Sequence, residues 1–138
     1  GDGEQGDPEE TLMGGKETIF MVDDEEGIVH TNQELLEMMG YTVIPLCDGS
    51  KAREVFIKNR DRIDLVILDM VMPGTSGGTL VKEFRAIDPA VKIILNSGYS
   101  PNHAVVRESL NDVQGFLQKP FNHDQLARAI RSALDQDR

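Results

Sequence analysis

Residues 65–74 read LVILDMVMPG: four aliphatic side chains, Leu65 to Leu68, run directly into the carboxylate of Asp69, and the chain then breaks at Pro73-Gly74. An unbroken apolar run of this length, closed by a turn signal, is the pattern of a strand covered on both faces. A carboxylate at the end of such a run is expensive to desolvate. Asp69 therefore has to be solvated at a surface, paired, or bound to a cation.

The same kind of run recurs on both sides of this stretch. Strands are expected at Thr18–Asp23, Tyr41–Leu46, Asp64–Asp69, Val91–Asn96 and Gly115–Gln118. Amphipathic segments separate them, with apolar residues at helical spacing: Ile28, Leu35 and Met39; Ala52, Val55 and Phe56; Leu80, Val81 and Phe84; and Leu126, Ile130 and Leu134. Ser100-Pro101 offers an N-cap followed by proline at the first helical position, and Asn122 with Gln125 resembles a capping box. Five strand-helix units with short connections imply a doubly wound α/β sandwich around a parallel sheet, built with right-handed crossovers. Pro45 cannot donate to a ladder, so the second strand belongs on an edge, as the order 2-1-3-4-5 requires. In that order, strands 1 and 3 flank the switch point where ligands bind beyond the carboxyl ends.

A chain of 138 residues fits one domain with a real core, in which roughly two-thirds of the unfolded surface is buried. The formal charge of -10 disfavours direct contact with nucleic acid or an anionic membrane surface. No run approaches the ~18 apolar residues of a membrane helix and no signal peptide is legible, so a cytoplasmic location is expected. Cys47, the lone cysteine, reads as a small apolar filler at a strand end. Residues 1–16, with five glycines, one proline and five acids, read as a flexible linker or tail, and 17–138 as the folded domain. The leader is not a phosphate loop. Glu10 stands where the first glycine would be needed, and Glu17 follows Gly15-Lys16.

Strand 1 ends in Asp23-Asp24 and strand 3 in Asp69, so the topology gathers three carboxylates at one crevice. Acids in a helix's first turn are common, which explains Asp23-Asp24-Glu25-Glu26 taken alone. With Asp69 beside them, a cation is implied, and hard oxygen donors without His or Cys favour Mg²⁺. His30, His103 and His123 lack metal-site spacing and read as surface or helix-end residues. Strand 4 runs into Ser97-Gly98 and strand 5 into Lys119-Pro120, which adds a hydroxyl, an open backbone amide and a cation to the same edge.

The acidic pair after strand 1, Asp69 with Met72-Pro73-Gly74 after strand 3, Ser97 after strand 4 and Lys119-Pro120-Phe121 after strand 5 together resemble the receiver domain of two-component response regulators, a flavodoxin-like (βα)5 fold. The likeness covers about Glu17 to Asp135. It implies that Asp69 takes a phosphoryl group from a histidine kinase or histidine phosphotransfer domain. It further implies that Asp24 and Asp69 bind Mg²⁺ directly, Asp23 mainly through water, and Val71 through its backbone carbonyl. Lys119 and Ser97 would share the phosphoryl oxygens, with Ser97 and Phe116 acting as the switch. Phe116 departs from the tyrosine often found there and lacks its hydroxyl. Val71, Gly98 and Tyr99 are expected at the mouth of the site, where Val71 and Tyr99 would hinder an attacking water and slow the loss of the phosphoryl group. A cis Lys119-Pro120 bond is also implied.

Output would pass through helix 4, strand 5 and helix 5 to a downstream protein, with a weak homodimer left open. The domain would promote its own phosphorylation and dephosphorylation without being a turnover enzyme. Two other readings stand beside this one. A phosphatase of the haloacid dehalogenase class also places a nucleophilic aspartate after a parallel strand, but its second aspartate is replaced here by Val71, which cannot transfer a proton. A pseudo-receiver would keep the fold as an interaction module without phosphate. Of a stand-alone receiver and the C-terminal receiver of a hybrid sensor kinase, the linker-like leader favours the hybrid.

Overall fold

The structure, a computed structural model, describes residues 14–136. The five strands of its main sheet are β1 (Thr18–Val22), β2 (Thr42–Leu46), β3 (Leu65–Asp69), β4 (Ile93–Ser97) and β5 (Gly115–Gln118). They alternate with α1 (Glu26–Met38), α2 (Ala52–Asn59), α3 (Gly77–Ile87), α4 (Ala104–Leu110) and α5 (His123–Leu134). The sheet is parallel, in the order β2-β1-β3-β4-β5. Pro45 lies on the edge strand, opposite Met21.

Alternation along the strands divides the core in two. Phe20, Val22, Val66, Leu68, Ile93 and Leu95 face Phe56, Leu80, Phe84 and Val106, so α2, α3 and α4 cover one side. Ile19, Met21, Leu65, Ile67 and Ile94 face Val29, Leu36, Leu126 and Ile130, so α1 and α5 cover the other. Because both faces are covered, β3 and β4 are buried at every position. Phe84 stacks on Phe56 with ring centroids 4.3 Å apart and tilts against Phe20 at 6.2 Å.

Two local expectations need correction. In α1 the buried residues are Val29 and Leu36; Leu35 and Met39 pack half-buried beside them as expected, but Val29 takes the inward place expected for Ile28. The helix after β4 does not start at Pro101. Ser100 Oγ accepts the Asn102 N–H (3.2 Å) in a local turn, and His103 becomes the N-cap, its Nδ1 accepting the Val105 N–H (3.2 Å). The expected capping box at α5 is present: Asn122 Oδ1 accepts the Gln125 N–H (2.7 Å), and Gln125 Oε1 accepts the Asn122 N–H (2.8 Å). Of the linker expected over 1–16, residues 1–13 lie outside the described residues, and the Gly15 N–H donates to the Met39 carbonyl (3.2 Å). Residues 137–138 also lie outside them.

Candidate functional site

The carboxyl ends of β1, β3, β4 and β5 bring Asp23, Asp69, Ser97 and Lys119 to one edge of the sheet. Asp23 follows Val22, and its N–H donates to the Leu46 carbonyl (3.1 Å). Asp69 ends β3, in register with Asn96 of β4. Ser97 ends β4, and its carbonyl accepts the Lys119 N–H (2.8 Å), which sets Lys119 beside it. The Lys119-Pro120 bond is cis.

After Asp69 the chain folds into a small antiparallel hairpin, Val71–Met72 with Thr75–Ser76. Pro73 and Gly74 form its turn, and Gly74, at φ +80°, takes the left-handed conformation that glycine permits. Gly77 then starts α3 against the site. A Cβ there would sit 2.8 Å from both the Asp69 carbonyl oxygen and the Met70 Cα, so only glycine lets the helix approach this closely.

Oxygens of Asp23, Asp24 and Asp69 lie within 4.8 Å of one another. Asp23 and Asp69 are buried, and Asp24 is exposed. Lys119 Nζ lies among carboxylates, 2.9 Å from Asp23 Oδ2, 3.1 Å from Glu25 Oε1 and 3.4 Å from Asp69 Oδ2. The contact with Asp23 is an ion pair without hydrogen-bond alignment, so that buried oxygen has no hydrogen-bond partner among the described residues. Asp23 Oδ1 accepts the Glu25 N–H (2.9 Å). Burial, reinforced by the Asp23 charge, pushes the Asp69 carboxyl from 3.8 to about 6, against the opposing pull of Lys119. Burial works against the Lys119 ammonium, yet the surrounding carboxylates of Asp23, Glu25 and Asp69 outweigh it and hold the group above its ordinary value. The cluster is rich in hard oxygen donors, carries more negative charge than one lysine offsets, and contains a buried Asp23 oxygen with an ion pair but no hydrogen bond among the described residues. It therefore suits a small divalent cation.

Ser97 is buried, and its hydroxyl accepts the Tyr99 N–H (3.0 Å). Val71, Gly98 and Tyr99 are exposed, with Tyr99 stacked on His103 (ring centroids 4.3 Å, 22°). Phe116 is half-buried against the core under α2, α3 and α4. Cys47 is partly buried just after β2, and burial pushes its thiol up, as do the charges of Glu26, Asp23 and Asp24. The histidines behave as expected: His103 caps α4 and His123 begins α5. Sequence reasoning did not single out Glu25 as a partner of Lys119, nor Gly77, nor Asn96, whose buried Oδ1 has no hydrogen-bond partner among the described residues. Position alone marks Asn96, which stands one residue before Ser97 on a strand buried throughout.

A doubly wound sheet whose switch point carries an acidic cluster and an embracing lysine defines an aspartate-based phosphoacceptor module. The chain belongs to the response regulator receiver domain family, whose model matches residues 19–131, and it is a phosphoacceptor signalling domain of two-component systems. It is 35% identical over 126 residues to the sensor kinase CckA of Brucella abortus, covering 91% of this chain but only 13% of that kinase. It is 29% identical over 118 residues to the sporulation initiation phosphotransferase F of Bacillus subtilis, 86% of this chain and 94% of that one. Among solved structures it resembles response regulator TrrA of Thermotoga maritima in complex with Mg²⁺ and beryllofluoride. That match has 32% identity and a TM-score of 0.74, covering 86% of this chain and 99% of the other. No helix among the described residues is long and apolar enough to cross a membrane.

Proposed function

We propose that Asp69 accepts a phosphoryl group from the phosphohistidine of a histidine kinase or histidine phosphotransfer domain, and that α4, β5 and α5 relay the change to a downstream protein. The observation that carries this reading is the convergence of Asp23, Asp24, Asp69 and Lys119 at the ends of three strands. Asp24 and Asp69 would hold Mg²⁺ directly, Asp23 mainly through water, and the Val71 carbonyl would complete the donor set. The donor chemistry and an Asp23 Oδ2 that lacks a hydrogen bond support the fit, as does the Mg²⁺ complex of the Thermotoga relative. When bound, the ion supplies positive charge that favours the carboxylate form and offsets charge on the phosphoryl oxygens.

An Asp69 oxygen attacks phosphorus in line with the donor nitrogen, the new O–P bond forming as the N–P bond breaks. No general base is needed, because a carboxyl that titrates near 6 is mostly ionised at neutral pH. Lys119 and Ser97 bind equatorial oxygens of the phosphoryl group. To do so, the Ser97 hydroxyl turns inward from its bond with the Tyr99 N–H, and Phe116 fills the space that opens. Val71 and Tyr99 obstruct water at the mouth, beside Gly98, so hydrolysis is slow.

The identity to a sensor kinase and the acidic, glycine-rich sequence over 1–16 favour the receiver of a hybrid kinase, working in the cytoplasm. Phosphotransfer from a panel of autophosphorylated histidine kinases, with Mg²⁺ and an Asp69→Asn control, tests the reading. Label on the wild-type chain alone is the expected result, and equal label on Asp69→Asn would overturn it.

A further inference from the structure

Glu25 occupies a position whose local chemistry it does not serve. It is the N-cap of α1, where Ser, Thr, Asp or Asn normally accepts an amide of the first turn, and its side chain makes no such bond. The carboxylate reaches across the crevice instead, to Lys119 Nζ at 3.1 Å. A residue that breaks a local rule in order to make a distant contact often belongs to a functional site.

An ammonium has three N–H donors, and here three carboxylates surround it: Asp23, Glu25 and Asp69. Hydrogen bonds to Glu25 and Asp69 and the ion pair with Asp23 crowd the ammonium, so a phosphoryl group arriving on Asp69 competes with these partners for it. Asp23 and Asp69 are fixed in the buried cluster. Glu25 is the exposed partner, with 58% of its side chain open to solvent, and it lines an open groove of about 550 Å³ into which it can swing. On the reading of Asp69 as phosphoacceptor, on which this rests, we propose that Glu25 is a positioning residue that tethers Lys119 in the unphosphorylated state and competes with the phosphoryl group for its ammonium. Glu25 thereby biases the switch toward its resting form and sets how readily the site takes up phosphoryl ligand. It acts through Lys119 and touches no reacting atom.

The test is the affinity of the full chain for beryllofluoride at saturating Mg²⁺, followed by amide NMR titration of the wild type, Glu25→Gln, Glu25→Asp and Glu26→Gln. Glu25→Gln should bind about two- to fivefold tighter than the wild type, the range expected from losing one half-exposed ion pair. Glu25→Asp keeps the charge but is one methylene short of Lys119, and it should behave like Glu25→Gln. Glu26→Gln removes the same charge one residue further on, from a side chain that does not pair with Lys119, and should match the wild type. The Glu25→Gln advantage should also shrink toward 1 M salt, where the screening length is about 3 Å. A Glu25→Gln affinity no tighter than wild type, or an equal gain from Glu26→Gln, overturns the tether. If Glu25→Asp stays at the wild-type value, charge and not reach is what matters, and the tether is likewise overturned. A wild type that gives no saturable response overturns the assignment of the site itself, and the tether with it.

Discussion

Replacing Asp69 by asparagine should stabilise the cation-free domain, although it removes the residue on which the function depends. In the fold the Asp69 carboxyl titrates at about 6 against an ordinary 3.8, mainly because it is buried and secondarily because Asp23 is beside it. Ionising it in the native state therefore costs on the order of 3 kcal/mol more than in the unfolded chain. The sign follows from the raised value: between pH 4 and pH 6 the native state holds a proton that the unfolded state has lost. Stability drawn from Asp69 is full below its unfolded value and disappears as pH rises through about 6.

Asparagine has the same shape without the charge, and it gives up only a long 3.4 Å contact with Lys119. At pH 8 without divalent cation, Asp69→Asn should melt about 5–10 °C above the wild type. At pH 4.5, still above the unfolded value of 3.8, the gap should shrink to about a third of that. Millimolar Mg²⁺ should narrow the gap at pH 8 by raising the wild type alone, since a cation bound only by the native state stabilises it. Thermal unfolding followed by circular dichroism at the two pH values gives the answer. An Asp69→Asn variant no more stable at pH 8, or equally stabilised at both pH values, would refute the electrostatic account of the cluster.

Three further outcomes follow from particular contacts. Gly77→Ala puts a Cβ 2.8 Å from backbone atoms of Asp69 and Met70, so denaturant melts should show about 1–3 kcal/mol of lost stability, with slower phosphoryl uptake. Val71→Asn and Tyr99→Glu should shorten the half-life of the aspartyl phosphate, and an unchanged half-life would end the idea that these side chains shield it. Asn122→Ala removes half of the capping box of α5 and should cost about 1 kcal/mol in equilibrium unfolding while leaving phosphorylation intact.

The sheet was legible because burial on both faces leaves an unmistakable trace. Leu65 to Leu68 and Ile93 to Leu95 are apolar and buried without interruption, and Pro45 marks the edge. Helix phases and starts were less legible. The apolar stripe of α1 is wide enough that Ile28 and Val29 compete for the inward position, and burial against the sheet decides for Val29. Ser100-Pro101 carries a helix-start signal that a local turn satisfies, which passes the cap to His103. At the site, residue types at strand ends sufficed to collect Asp23, Asp24, Asp69, Ser97 and Lys119, because a parallel sheet delivers all its carboxyl ends to one edge. The reach of Glu25 to Lys119, the close approach of Gly77 and the raised titration of Asp69 depend on distances that spacing does not encode.

The central claim is that Asp69 carries the phosphoryl group, and it is tested most directly by trapping the acyl phosphate with borohydride and mapping the modified residue by tandem mass spectrometry. After phosphotransfer with Mg²⁺, the reduction product should appear at position 69 alone and be absent from Asp69→Asn and from samples without divalent cation. A modified residue at any other position, or undiminished labelling of Asp69→Asn, would contradict it.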